Sequence, residues 1–248
     1  MRNEEYILKV KKDFISLSNY PDIDIIYDTP ISLDNSGSIG DLNAALGFNI
    51  YSKKRDFIIL YKENFEAPDL LVKSLFHEMI HLIDYHEYVK KYNNNIYDGE
   101  QFSYNNFFYF SVWSEFHAQY KSWELYFALF RAMQYDQNYI LEFYNFEMNL
   151  IRNLNKVSDE KSIMKSIIRF IARHYFLYLY GYRMEIFLDI EKVIESYPRQ
   201  KIDELFSIFY NMKNFSDYVI CETSFIRSIE SWKNIGDIVK NVSNKLIF

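Results

Sequence analysis

PDLLVKSLFHEMIHLIDYHEY, residues 68–88, reads as one amphipathic helix. Pro68 and Asp69 suit a first turn, where a missing N–H costs nothing and a negative charge meets the helix dipole. Leu71, Leu75, Met79 and Leu82 then recur at helical spacing, which places an apolar stripe along one side. Within this helix lies His77-Glu78-Met79-Ile80-His81, an HExxH sequence. Residues four apart share a helix face one turn from each other, so both imidazoles can reach one metal ion. Glu78 is rotated about 100° from His77 and can approach a metal-bound water rather than the metal.

Upstream, Tyr6, Ile7, Val10, Phe14 and Leu17 predict a first helix over residues 3–18, which Pro21 ends. DIDIIYD (22–28) reads as a short strand, and DNSGSIGDLN (34–43) as a loop of turn formers. Ala44 to Tyr51 and Asp56 to Lys62 are β-rich runs joined by the polar SKKR, which predicts a hairpin. Downstream, KKYNNNIYDGEQ (90–101) is a polar loop. From Phe107 onward the pattern is helical throughout, over about 106–135, 138–154, 159–180, 182–196, 199–213 and 222–244. The expected class is therefore α+β: a small N-terminal antiparallel or mixed sheet with the HExxH helix, followed by a large all-α half. The core would occupy residues 1–135, with a helical half at 136–248 packed on it. No repeat, low-complexity tract or Pro/Gly/Ser linker separates the two, so one continuous domain is expected.

Composition narrows the function. Of 248 residues, 49% are apolar and 25% charged, which is ordinary for a globular chain and too apolar for a disordered one. With 23 Tyr and 22 Phe against 6 Gly and 4 Pro, long packed helices are favoured over a turn-rich β fold. The single cysteine, Cys221, excludes a disulfide framework or Cys-rich zinc module and reads as a small core residue. A net charge of −6 argues against nucleic acid as the main partner. The most apolar stretch, Ile167 to Ile190, contains Arg169, Arg173, His174 and Arg183, so no membrane span is expected there. The N-terminus carries acidic residues without a long apolar run, which is unlike a signal peptide and implies a cytoplasmic address.

With 5 His and 18 Glu in the chain, an HExxH arises by chance only roughly 0.007 times. The bland alternative is a helix whose two histidines hydrogen-bond inside the core. Zinc suits two neutral imidazoles and a carboxylate, with a fourth position left for water. The preferred third ligand is Glu115, in WSEFHA (113–118), because Ser111, Val112, Ala118, Gln119 and Ser122 give it a mostly small-residue face. His117 competes, but it points about 200° away from Glu115, amid bulkier neighbours. Asp84, three residues after His81, projects from the ligand face one turn on; it suits either the holding of an imidazole N–H or an ordinary surface salt bridge. His86 lies off that face and reads as a surface residue. In the helical half, His174 is a candidate donor to a transition-state oxyanion, with Tyr182 as a weaker cleft-facing candidate. The simpler reading of His174 is a partly buried histidine among aromatics.

An N-terminal helix, a short sheet, a helix bearing HEMIH and a following helix bearing SEFHA together resemble the gluzincin metallopeptidases, and among them the compact ImmA/IrrE-type family. The likeness covers about residues 1–135. It implies that His77, His81 and Glu115 bind one zinc ion per chain and that Glu78 is the catalytic base. The aromatic helical half has no counterpart in that likeness. The expected function is zinc-dependent hydrolysis of peptide bonds in a protein or peptide substrate, by a metal-bound water that Glu78 deprotonates. The alternative is a non-catalytic, partner-binding protein that keeps a zincin fold.

Overall fold

A computed structural model describes residues 3–18, 20, 23–34, 44–48, 56–61, 68–92, 104–130, 168, 171–172, 204 and 207–231. Its elements, in chain order, are α1 (Asn3–Ser18), α2 (Ile23–Asp28), β1 (Ile31–Asp34), β2 (Ala44–Phe48), β3 (Asp56–Tyr61), α3 (Pro68–Tyr92), α4 (Tyr104–Phe130) and α5 (Phe215–Ser231).

The expected α+β class is corrected to a predominantly helical fold. The helices α1, α3, α4 and α5 run for 16, 25, 27 and 17 residues, whereas the strands have 4, 5 and 6. Among the residues whose burial is described, Ile58 alone represents the strands in the apolar core. The reason is where the apolar volume lies. Large aromatic side chains on long helices exclude water from one another, and strands this short contribute little to that. The strands are ordered β1-β3-β2. β1 runs parallel to β3, with Ile31 opposite Ile58, and β2 runs antiparallel to it, with Leu46 opposite Ile58.

A second correction concerns residues 22–28, expected as a strand, where Ile23–Asp28 forms α2. Ile26 and Thr29, three residues apart, are buried, while Asp24, Tyr27 and Asp28 are exposed, a helical rather than alternating pattern. The cause is tertiary. Lys11 of α1 donates from Nζ to the carbonyl oxygens of Tyr27 (3.2 Å) and Thr29 (2.7 Å). Carbonyls at a helix C-terminus have no partner within the helix, and a cation there also meets the negative end of the dipole. Thr29 closes the last turn through its N–H and Oγ1, both on the Ile25 carbonyl, and Pro30 cannot continue it. Burial lowers the Lys11 pKa, and nearby Asp28 opposes that shift.

The chain forms two compact units, the first comprising residues 1–107 and 121–132 and the second 108–120 and 133–248. In the first, Phe14 of α1 meets Phe76 of α3 at a centroid distance of 5.6 Å and stacks on Tyr20 at 6.1 Å. Leu71, Leu75, Phe76, Met79, Ile80 and Leu82 of α3 are completely buried, so the apolar stripe read from the sequence is the core of this unit. Lys73 lies over the Trp123 ring at 5.3 Å. In the second unit, Phe110, Trp113 and Phe116 of α4 pack with Phe209, Phe215 and Tyr218. Phe116 stacks on Phe209 at 4.0 Å, and the Trp113 indole N–H donates to the Met212 carbonyl at 3.1 Å.

α5 starts seven residues before the expected position of 222. Asn214 is its N-cap: Oδ1 accepts from the Asp217 N–H at 3.0 Å, and the Asp217 carboxylate accepts from the Lys213 N–H at 3.1 Å. Asn followed three residues later by Asp is a helix-start signal the periodicity reading passed over. The expected helices at 138–154, 159–180 and 182–196 lie largely or wholly outside the described residues. Cys221, expected in the core, is only half-buried on α5.

Tyr20 sets an expectation for alkaline stability. Burial raises its phenol pKa above the ordinary value of 10.0, and the charges of Asp84, Glu87 and Glu124 raise it further. A folded-state pKa above the unfolded one means that the folded chain holds the proton longer. The associated stability is therefore complete below pH ~10 and is lost as pH rises through the folded value. Tyr20→Phe is expected to flatten the decline in unfolding free energy above pH ~10, measured by denaturant titration. An unchanged decline would show that Tyr20 does not titrate on unfolding.

Candidate metal centre

α3 holds its functional groups by spacing and by burial. The apolar residues around them anchor the helix on the first unit's core, so the histidines at 77 and 81 are presented from a fixed backbone. Their Nε2 atoms are 3.1 Å apart, with ring centroids separated by 4.6 Å and planes at 88°. Two nitrogens on one tetrahedral zinc at ~2.0–2.1 Å would stand about 3.3 Å apart, so the pair is already close to the separation that such an ion imposes. His77, Glu78 and His81 keep 7%, 8% and 8% exposure, whereas Glu115 has 1% and Asp84 none. All five side chains are thus buried, the two other carboxylates most completely.

Glu115 comes from α4, where Ser111, Ser114, Gln119 and Ser122 are all buried at 2% exposure or less. His77, His81 and Glu115 form a group in which one ligand atom from each lies within 4.8 Å of the others. This buried group could hold a metal ion. Its donors fit one: two imidazoles whose Nε2 atoms converge and one carboxylate, all drawn out of water. Burying charged or polar groups is costly unless they are matched, and a cation placed among them supplies the match.

His117, the competing ligand, is not part of the group. It is buried at 2% exposure, and its ring stacks on Trp113, with centroids 5.0 Å apart and planes at 13°. The two-residue offset on α4 turns it away from Glu115, as helix geometry requires. His86 is half-buried. His174 and Tyr182 lie outside the described residues. Tyr85, which the sequence reading passed over, contacts His81, with ring centroids 6.1 Å apart. Its position four residues after His81, on the same face, was the available signal.

No protein-family profile, curated protein or solved structure matches the chain. No described helix is long and apolar enough to cross a membrane.

Proposed function

We propose that the protein is a zinc-dependent metallopeptidase that hydrolyses peptide bonds. The observation that carries this reading is the buried His77–His81–Glu115 group, with its ligand atoms within 4.8 Å of one another and Glu78 beside it on α3. Two imidazoles and one carboxylate are a donor set suited to zinc, with one position left for water or substrate. When bound, zinc lowers the pKa of water towards ~7 and polarises a carbonyl as a Lewis acid.

The chain's own residues then perform the proton transfers. Glu78 is offset by about 100° from His77, so its carboxylate is placed to accept a proton from the attacking water rather than to bind the ion. The carbonyl carbon gains the water oxygen, the C–N bond breaks, and Glu78 returns the proton to the leaving amine. Burial of Glu78 limits competing bulk water. Among the described strands β2 is an outer one, so an extended substrate segment can pair with its backbone.

The test is metal analysis of the purified chain, paired with cleavage of unstructured protein substrates. About one zinc per chain is expected, with His77→Ala losing it at unchanged helix content. A folded chain that binds no divalent metal would remove the basis of the proposal. A zinc-loaded chain that cleaves nothing would favour the alternative, a partner-binding protein that keeps the metal site for structure.

A further inference from the structure

Asp84 is fully buried, at 0% exposure, on the same helix as both histidines of the candidate metal centre. A carboxylate in that position is costly unless its oxygens accept hydrogen bonds. Seven residues after His77 and three after His81, it lies about 20° and 60° from them around the axis, one turn towards the C-terminus. Side chains on a helix lean back towards the N-terminus, so the Asp84 carboxylate leans over the turn that carries His81.

The orientation of His81 completes the argument. Its Nε2 faces Nε2 of His77 at 3.1 Å, so its metal-facing edge is Nε2 and its Nδ1 lies on the other side of the ring. A neutral imidazole that gives Nε2 to a cation carries its proton on Nδ1, and that proton needs an acceptor. Asp84 is not a member of the three-residue group whose ligand atoms converge. Its influence on Tyr20 is through-space repulsion, whereas that of Glu230 on Tyr109 also includes a hydrogen bond, at 3.0 Å. Tyr20 therefore feels the charge of Asp84.

We infer that Asp84 is a positioning residue, which accepts the Nδ1–H of His81, fixes its tautomer and holds Nε2 towards the metal. This rests on the metal reading above. The carboxylate makes the imidazole a stronger donor to the ion and removes a rotation that the free ring would have. Such outer carboxylates are typically worth 10- to 100-fold in metal affinity.

The experiment compares zinc affinity, by chelator competition, in the full chain and in Asp84→Asn and Tyr20→Phe, alongside imidazole 15N NMR of the zinc-loaded wild type. Asp84→Asn is expected to weaken zinc binding ~10- to 100-fold with helix content retained. Tyr20→Phe is expected to leave it unchanged. In the wild type the His81 Nδ1–H should be downfield-shifted and slow to exchange, and in Asp84→Asn it should move upfield. Wild-type zinc affinity in Asp84→Asn would overturn the inference, as would a freely exchanging His81 Nδ1–H in the wild type. Should Asp84→Asn fail to fold, the wild-type spectrum alone decides. A wild-type chain that takes up no zinc would instead overturn the metal reading itself, so the two failures are distinct.

Discussion

Glu78→Gln is expected to leave about one metal ion per chain in place and to lower peptide hydrolysis by a factor of ~10² to 10⁴. Gln keeps the length and hydrogen-bonding capacity of the side chain but cannot accept a proton at neutral pH. Metal content and rate therefore separate two roles that other substitutions in the motif would confound. Glu78 is buried at 8% exposure and is not a member of the three-residue ligand group, so its removal should not weaken the donor set. The measurement is zinc content beside initial cleavage rate, with substrate well above and well below half-saturation. A proportionate fall in kcat and kcat/KM would mark a transition-state role. Full activity in a zinc-loaded Glu78→Gln protein would rule the mechanism out.

Glu115→Ala is expected to weaken metal binding severely, because it leaves two imidazoles where three donors stood. His117→Ala is expected to leave the metal content unchanged. His117 stacks on Trp113 and lies outside the ligand group, so its loss costs packing rather than coordination. The two variants together are informative because both positions are buried on the same helix, at 1% and 2% exposure. A general disturbance of α4 would affect them alike, whereas coordination affects only one. Equilibrium dialysis with zinc, together with thermal unfolding, checks this. Retention of zinc by Glu115→Ala with its loss from His117→Ala would reverse the assignment.

The aromatic composition has a consequence for how α4 can carry a functional carboxylate at all. Trp113, Phe110 and Phe116 are completely or almost completely buried, and the Trp113 indole is tied to the Met212 carbonyl. Rings fixed in this way hold the helix on one side, and Glu115 projects from another. Residues 209–218 thus contribute to the placement of Glu115 without providing a ligand themselves.

Local patterns in the sequence were sufficient for several elements. HExxH within a 3.6-residue apolar stripe identifies α3 and the two histidines, since spacing along a helix alone brings i and i+4 onto one face. α1 was legible on the same ground, and the preference for Glu115 over His117 followed from a two-residue offset and a small-residue face. Two β-rich runs with a polar connection likewise indicated the antiparallel pairing of β2 with β3. What the sequence could not decide was whatever depends on a partner far along the chain. Residues 22–28 have strand-like composition, yet Ile23–Asp28 forms α2 because Lys11, well upstream, satisfies the carbonyls at its end. The class of the fold could not be read from element order either, because the share of strand in the core depends on which aromatic faces meet. His81 and Glu115 stand 34 positions apart, and spacing along the chain says nothing of ligand atoms that lie within 4.8 Å of one another. A short apolar run has no intrinsic preference strong enough to resist such contacts, whereas a 25-residue helix with an unbroken stripe does, because each added turn repeats the same stabilising face.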